Sequence, residues 1–141
     1  MQFVELGIAS IALTLLVSPV VAAESFSFTP ISSGGSLRWS VAVNGGTAAN
    51  NQTLHLVRGQ TFDFTVKANS SHPFYVKTVS STGSANAYSG FAPNGIATST
   101  MQTVSFLVPA NAPDTLFYNC AIHSSMAGKI DVSIFRDRFG D

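Results

Sequence analysis

The chain predicts an all-β domain on three observations. Short runs alternate apolar with polar residues, turn-forming residues separate them, and little of the chain carries helical apolar spacing. Residues 25–29 (Ser-Phe-Ser-Phe-Thr) alternate, and so do residues 37–43 (Leu-Arg-Trp-Ser-Val-Ala-Val), which Asn44-Gly45-Gly46 ends with turn chemistry. Between these two runs, residues 32–36 (Ser-Ser-Gly-Gly-Ser) read as an ordinary flexible turn. Residues 54–57 lead through Arg58-Gly59 into residues 61–67, where Phe62, Phe64 and Val66 share one face of a strand. Residues 74–79, 103–108, 115–119 and 129–134 complete the set. About eight short strands in the region after residue 23 is the density of a sandwich or barrel.

Residues 1–23 differ from the rest. An apolar run from residue 6 to 17, a Ser18-Pro19 break and the small residues Val21-Ala22-Ala23 read as an export signal cleaved before Glu24. The run falls short of the roughly 20 apolar residues of an ordinary membrane span, so an uncleaved anchor is the weaker alternative. The expected organisation is a signal peptide over 1–23, one domain over 24–134 and a charged, loosely held tail over 135–141. Without the leader the chain has seven Lys+Arg and six Asp+Glu, a net charge of +1. The basic residues are scattered, which excludes nucleic acid as a partner. Eleven Phe in a chain with 10% charged residues supply a rich core, each full burial contributing roughly 1.5–3 kcal/mol. The domain is therefore expected to fold without a metal.

Between residues 80 and 100 the alternation lapses into Ser, Thr, Gly, Ala, Asn and Pro. A loop of that length in a small domain is functional or mobile. Tyr88, Phe91 and Pro93 within it suggest that it folds over one end of the sandwich.

The chemistry lies in Cys120-Ala-Ile-His123-Ser-Ser-Met126, a thiol, an imidazole and a thioether within one loop spanning residues 120–128. The only cysteine of an exported chain forms no internal disulfide. Taken singly, a lone Cys is usually a buried thiol, a lone Met core filler and a lone His a surface residue. Together with His72, placed at a strand edge upstream, they form a two-His, one-Cys, one-Met donor set, the blue-copper arrangement. The thioether argues against structural zinc, whose sites use Cys, His and carboxylate.

These residues resemble the cupredoxins, the single-domain blue copper proteins. The loop from Tyr118 through Cys120, His123 and Met126 to Gly128 is similar to their C-terminal ligand loop, and the short gap before Met126 looks most like that of amicyanin. His72-Pro73-Phe74 looks like the blue-copper part of the multicopper-oxidase motif. The resemblance covers roughly residues 53–134. It implies an eight-stranded Greek-key β-sandwich holding one Cu(I)/Cu(II) ion, with His72, Cys120 and His123 as strong equatorial ligands and Met126 as the weak axial one. It implies an exported electron carrier, a monomer that meets its redox-partner proteins by transient contact, without membrane insertion once the leader is cleaved. Where many cupredoxins have Asn after the upstream His, this chain has Pro73; Asn69 or Ser71 is then the expected source of the hydrogen bond joining the two ligand segments.

Other classes fit less well. An oxygen-reducing copper enzyme needs further imidazoles, and only three His are present, with Tyr75 and Lys77 where the oxidase motif has His. His55 reads as exposed or satisfied. Copper carriage or storage by the same fold is the main alternative. A Cys120–His123 nucleophile–base pair lacks an orienting carboxylate nearby in sequence. Ala121, Ile122, Phe74 and Phe91 are expected to form an apolar patch around His123.

Overall fold

The computed structural model describes residues 2, 11–13 and 22–134; the leader over 1–23, those few positions aside, and the tail over 135–141 lie outside the described residues. Among the described residues nine strands form two sheets: β1 (Glu24–Ser33), β2 (Ser36–Val43), β3 (Ala49–Asn50), β4 (Leu54–Val57), β5 (Thr61–Val66), β6 (Phe74–Lys77), β7 (Gln102–Leu107), β8 (Thr115–Cys120) and β9 (Ala127–Ser133). One sheet runs β3-β2-β1-β5-β7 and the other β4-β9-β8-β6. The β1–β5 and β4–β9 pairs are parallel, the remaining pairs antiparallel. The expected all-β sandwich is present. The strand beyond the eight expected is β3, whose two exposed residues carry no apolar alternation by which to recognise it.

Alternation decides which faces meet. Phe26 and Phe28 of β1, Phe62, Phe64 and Val66 of β5, and Val104 and Phe106 of β7 point into the gap between the sheets. Phe74 and Val76 of β6, Leu116 and Tyr118 of β8, and Ile130 and Val132 of β9 meet them from the other side. Phe28 joins the layers, with its ring centroid 4.8 Å from Phe74 and 5.1 Å from Tyr118. Edge-to-face and tilted pairs of this kind add about 0.5–1.5 kcal/mol each beyond area burial.

The turn expected over residues 32–36 is the hairpin loop between β1 and β2. β1 and β2 pair as far as Ser33 opposite Ser36, which leaves Gly34 and Gly35 as a two-residue hairpin loop with φ of 59° and 76°. That is the left-handed pair a twisted hairpin demands, and glycine adopts it without a Cβ clash.

Residues 80–100 cover an open edge. β6 is the last strand of its sheet, and Pro73 precedes it where no ladder bond is lost. Phe74 N donates to Ile96 O, Tyr88 N to Val76 O, and Val76 N to the Asn94 side-chain oxygen. The loop therefore supplies partners that an exposed edge strand lacks. Its own Phe91 and Ile96 are buried. Among the described residues no helix is long and apolar enough to cross a membrane.

Phe64 is fully buried and its ring packs on those of Phe26, Phe28, Phe91 and Phe106. Phe64→Ala is expected to destabilise the fold by about 3–5 kcal/mol. Urea unfolding checks this, and a cost under about 1 kcal/mol would contradict the packing described.

Candidate metal centre

Two strand ends place the donors. β6 and β8 pair with Phe74 opposite Cys120, so His72, two residues before Phe74, lies level with the end of β8. A turn sets His72: Asn69 Oδ1 accepts from Ser71 N, and His72 N donates to Asn69 O. Asn69 thus bonds within its own segment and does not reach the other ligand loop, contrary to expectation. The link between the two segments is main chain to main chain, Ala121 N to Pro73 O at 2.9 Å. It asks nothing of a particular side chain, so a proline can stand after His72.

The connecting loop is shorter than expected, residues 121–126, because Ala127 and Gly128 already belong to β9. Gly128 is needed there: a Cβ at that position would run into the ring of Tyr118. Tyr118 is itself anchored, its hydroxyl donating to Gln52 O at 2.6 Å, and burial pushes its phenol well above the ordinary range. The loop closes on itself through Cys120 N to Met126 O at 2.8 Å and Met126 N to His123 O at 3.0 Å.

The outcome is a convergence of donors 48 residues apart along the chain. The Nδ1 atoms of His72 and His123 are 3.1 Å apart, and Cys120 Sγ is 4.0 Å from the first and 3.6 Å from the second. A triangle of those sides has a centre about 2.1 Å from all three corners, close to metal–nitrogen bond lengths of ~2.0–2.1 Å. Cys120 and Met126 are buried, while His72 and His123 are half-buried. The Cys120 sulfur also accepts two main-chain N–H groups, from Ile122 and His123, each at 3.4 Å. A sulfur so placed is suited to carry negative charge. Burial first, and the neighbouring His123 second, hold His72 below its ordinary pKa of 6.5, favouring the neutral ring that a metal requires. Two imidazoles, a thiol and a buried thioether in the adjoining loop fit copper.

Other predicted residues stand apart from this cluster. His55 is exposed on β4, its ring 3.7 Å from Asp131. The apolar patch is corrected: Phe74 and Phe91 lie in the core, packed against Phe28, Phe64 and Phe106, because their strand and loop turn them inward. Ile122, at 54% exposure, is the large apolar side chain that remains beside His123.

The residues that brace the loop were not legible beforehand. Ser125 is gripped from the other sheet: its carbonyl accepts from Arg38 Nη1 at 3.0 Å and from Asn51 Nδ2 at 2.8 Å, and its hydroxyl donates to Leu37 O at 2.7 Å. Asn51 also accepts from Trp39 N, and so ties β2 to the ligand loop. A hint existed in Arg38, a cation inside an alternating apolar run.

A two-sheet sandwich with a His, a Cys and a His gathered at one end is the arrangement that the resemblance noted above implies. The chain has a cupredoxin-like fold. No family model matches it, and no curated protein does. Similar solved structures include the 1.27 Å structure of rusticyanin from Thiobacillus ferrooxidans, with 20% identity over 78% of this chain and 75% of that one, at a TM-score of 0.47. A structure of reduced rusticyanin has 21% identity over 78% and 77% of the two chains, at 0.43. A multicopper oxidase that functions in iron import has 15% identity over 83% of this chain and 23% of its own, at 0.44. What this cupredoxin-like chain does follows from its own donors, not from these likenesses.

Two outcomes follow for the site. Unfolded His72 takes up a proton near pH 6.5 while the folded ring resists it, so the metal-free protein loses stability as pH falls below that value. Thermal unfolding at pH 7.5 and at pH 5 measures this, and His72→Gln is expected to flatten the difference; equal flattening by a control at exposed His55 would remove His72 as the cause. Asn51→Ala leaves the Ser125 carbonyl and Trp39 N–H short of a partner, and copper release from the loaded protein is expected to quicken about 10-fold or more. Stopped-flow transfer to a chelator reads that rate, and an unchanged rate would mean the loop holds its shape without Asn51.

Proposed function

We propose that the chain is an exported one-electron carrier, holding one copper ion between His72, Cys120 and His123 with Met126 as a weaker fourth donor. The observation that carries this reading is the convergence of three donor atoms, all within 4.8 Å of one another, at one end of the two-sheet sandwich. A bound copper ion would supply the Cu(II)/Cu(I) couple, an electron accepted and released with no bond made on a substrate.

The chain's part is to keep the donors still. His72 is set by its turn, Cys120 by β8, and His123 by a loop tied at both ends and gripped through Ser125. Donors pinned in this way give both oxidation states the same surroundings, so little structure moves on each transfer. Two N–H groups on the sulfur offset part of its charge without blocking it. His123 is half-buried and sits one residue from exposed Ile122, which makes its ring edge the natural route for the electron. Redox encounters are small and short-lived, which suits a monomer with one apolar residue beside the exit. With three histidines in the whole chain, two of them in the cluster, an oxidase would lack ligands for further copper centres. The apolar leader favours export, and in an oxidising compartment a lone cysteine survives best when it is buried, as Cys120 is, or masked by a metal.

Adding Cu(II) to the purified domain is expected to produce an intense thiolate-to-copper absorption in the red with a narrow copper hyperfine splitting, and Cys120→Ser is expected to abolish both. Copper that binds without the absorption, and passes rapidly to a chelator, would instead mark the protein as a carrier of the metal.

A further inference from the structure

Lys77 is 0% exposed and lies on β6 between the buried core residues Phe74 and Val76 of the same strand and the loop that follows it. Its Nζ donates to Ser81 O at 2.9 Å, Ser81 Oγ at 2.8 Å, Thr82 O at 3.1 Å and Gly83 O at 3.0 Å. Among the described residues it has no carboxylate partner within 4.0 Å. A buried cation without a counter-ion is costly, and an apolar residue would close a sheet more simply. Carbonyl oxygens only accept, and three of them surround this nitrogen. An ammonium has three protons to give where a neutral amine has two, so the cradle matches the charged form.

What the cradle leads to is the sulfur. The peptide group joining Thr82 and Gly83 accepts from Lys77 at its carbonyl and donates from Gly83 N to Ala121 O at 2.7 Å. The peptide group joining Ala121 and Ile122 takes that bond at its carbonyl and donates from Ile122 N to Cys120 Sγ at 3.4 Å. Three hydrogen bonds thus run in one direction, head to tail, from the ammonium to the ligand sulfur. Buried Asn119 fastens the same segment, its Oδ1 accepting from Ser81 N at 3.2 Å and Ser80 Oγ at 3.4 Å.

We infer that Lys77 is a positioning residue that polarises this two-peptide relay, strengthening the Ile122 N–H bond to Cys120 and thereby raising the reduction potential of a bound copper. Hydrogen bonds in a chain polarise one another in a medium of low dielectric. Each carbonyl that accepts a stronger bond makes its own peptide N–H a better donor. Hydrogen bonding around the cysteine sulfur is an established lever on the potential of such sites. The sign is determined by charge. The reduced site carries more negative charge on sulfur, so a stronger N–H bond stabilises it more than the oxidised site. The inference about potential rests on the copper reading; the relay itself does not.

The test separates the two. In the wild-type metal-free protein, a scalar coupling across the hydrogen bond between Gly83 N and the Ala121 carbonyl carbon is expected in NMR, and its absence overturns the relay without need of any variant. Lys77→Gln keeps two N–H donors for the cradle and removes the charge. Its Gly83 and Ile122 amide protons are expected to move upfield, beyond any change at Val104 on the far sheet, and unmoved shifts overturn the relay. In the copper-loaded protein the same substitution is expected to lower the potential while keeping the red absorption; an unchanged potential overturns the tuning role. A domain that takes up no copper overturns the electron-carrier reading, and the amide shifts then decide the relay by themselves.

Discussion

The antiparallel register that places Phe74 opposite Cys120 is the constraint on which the site depends. A slip of one residue would turn Phe74 and Val76 out of the core and carry His72 away from the sulfur, because side chains alternate faces with a period of two. The register is held by burial rather than by the site. Phe74 and Tyr118 stack with a 6.3 Å centroid separation, and Phe28 wedges against both from the opposite sheet. The apolar core therefore aligns the donors before any metal is present. The two imidazoles and the thiol are brought together by packing that would exist without them.

Around that alignment the chain uses main-chain hydrogen bonds where side chains might have served. The Ala121–Pro73 bond joins the ligand segments, and the loop of residues 121–126 closes through Cys120 and Met126. Main-chain bonds do not depend on side-chain identity, so the short loop can devote its side chains to donors and to Ser125. The grip on Ser125 from Arg38, Asn51 and the Leu37 carbonyl couples the loop to the first sheet. Both sheets thus hold the candidate site: its donors sit at the ends of β6 and β8 and in the loop between β8 and β9, and the other sheet steadies that loop.

The long polar segment over residues 80–100 joins two tasks. Its second half pairs along the open edge of β6 and buries Phe91 and Ile96. Its first half wraps the Lys77 ammonium and reaches the Ala121 carbonyl. A segment that looks low in information by composition is therefore what connects the buried charge to the ligand loop.

By itself the chain's order of residues determined much of this protein. Period-two alternation in residues 25–29, 37–43 and 61–67 marked strands with one buried face, and the spacing of Cys120, His123 and Met126 marked a soft-metal loop, because both signals are local. The tertiary structure alone decided the rest. It sent Phe74 and Phe91 into the core instead of onto a surface around His123, since which face of an element is covered depends on what packs against it. It made a two-residue strand of Ala49 and Asn50, which have no apolar pattern and exist as a strand only through pairing with β2. It assigned Arg38, Asn51 and Lys77 their partners, because a long polar side chain bonds to whatever the fold brings within reach, and those partners lie far along the chain or in a loop without regular structure.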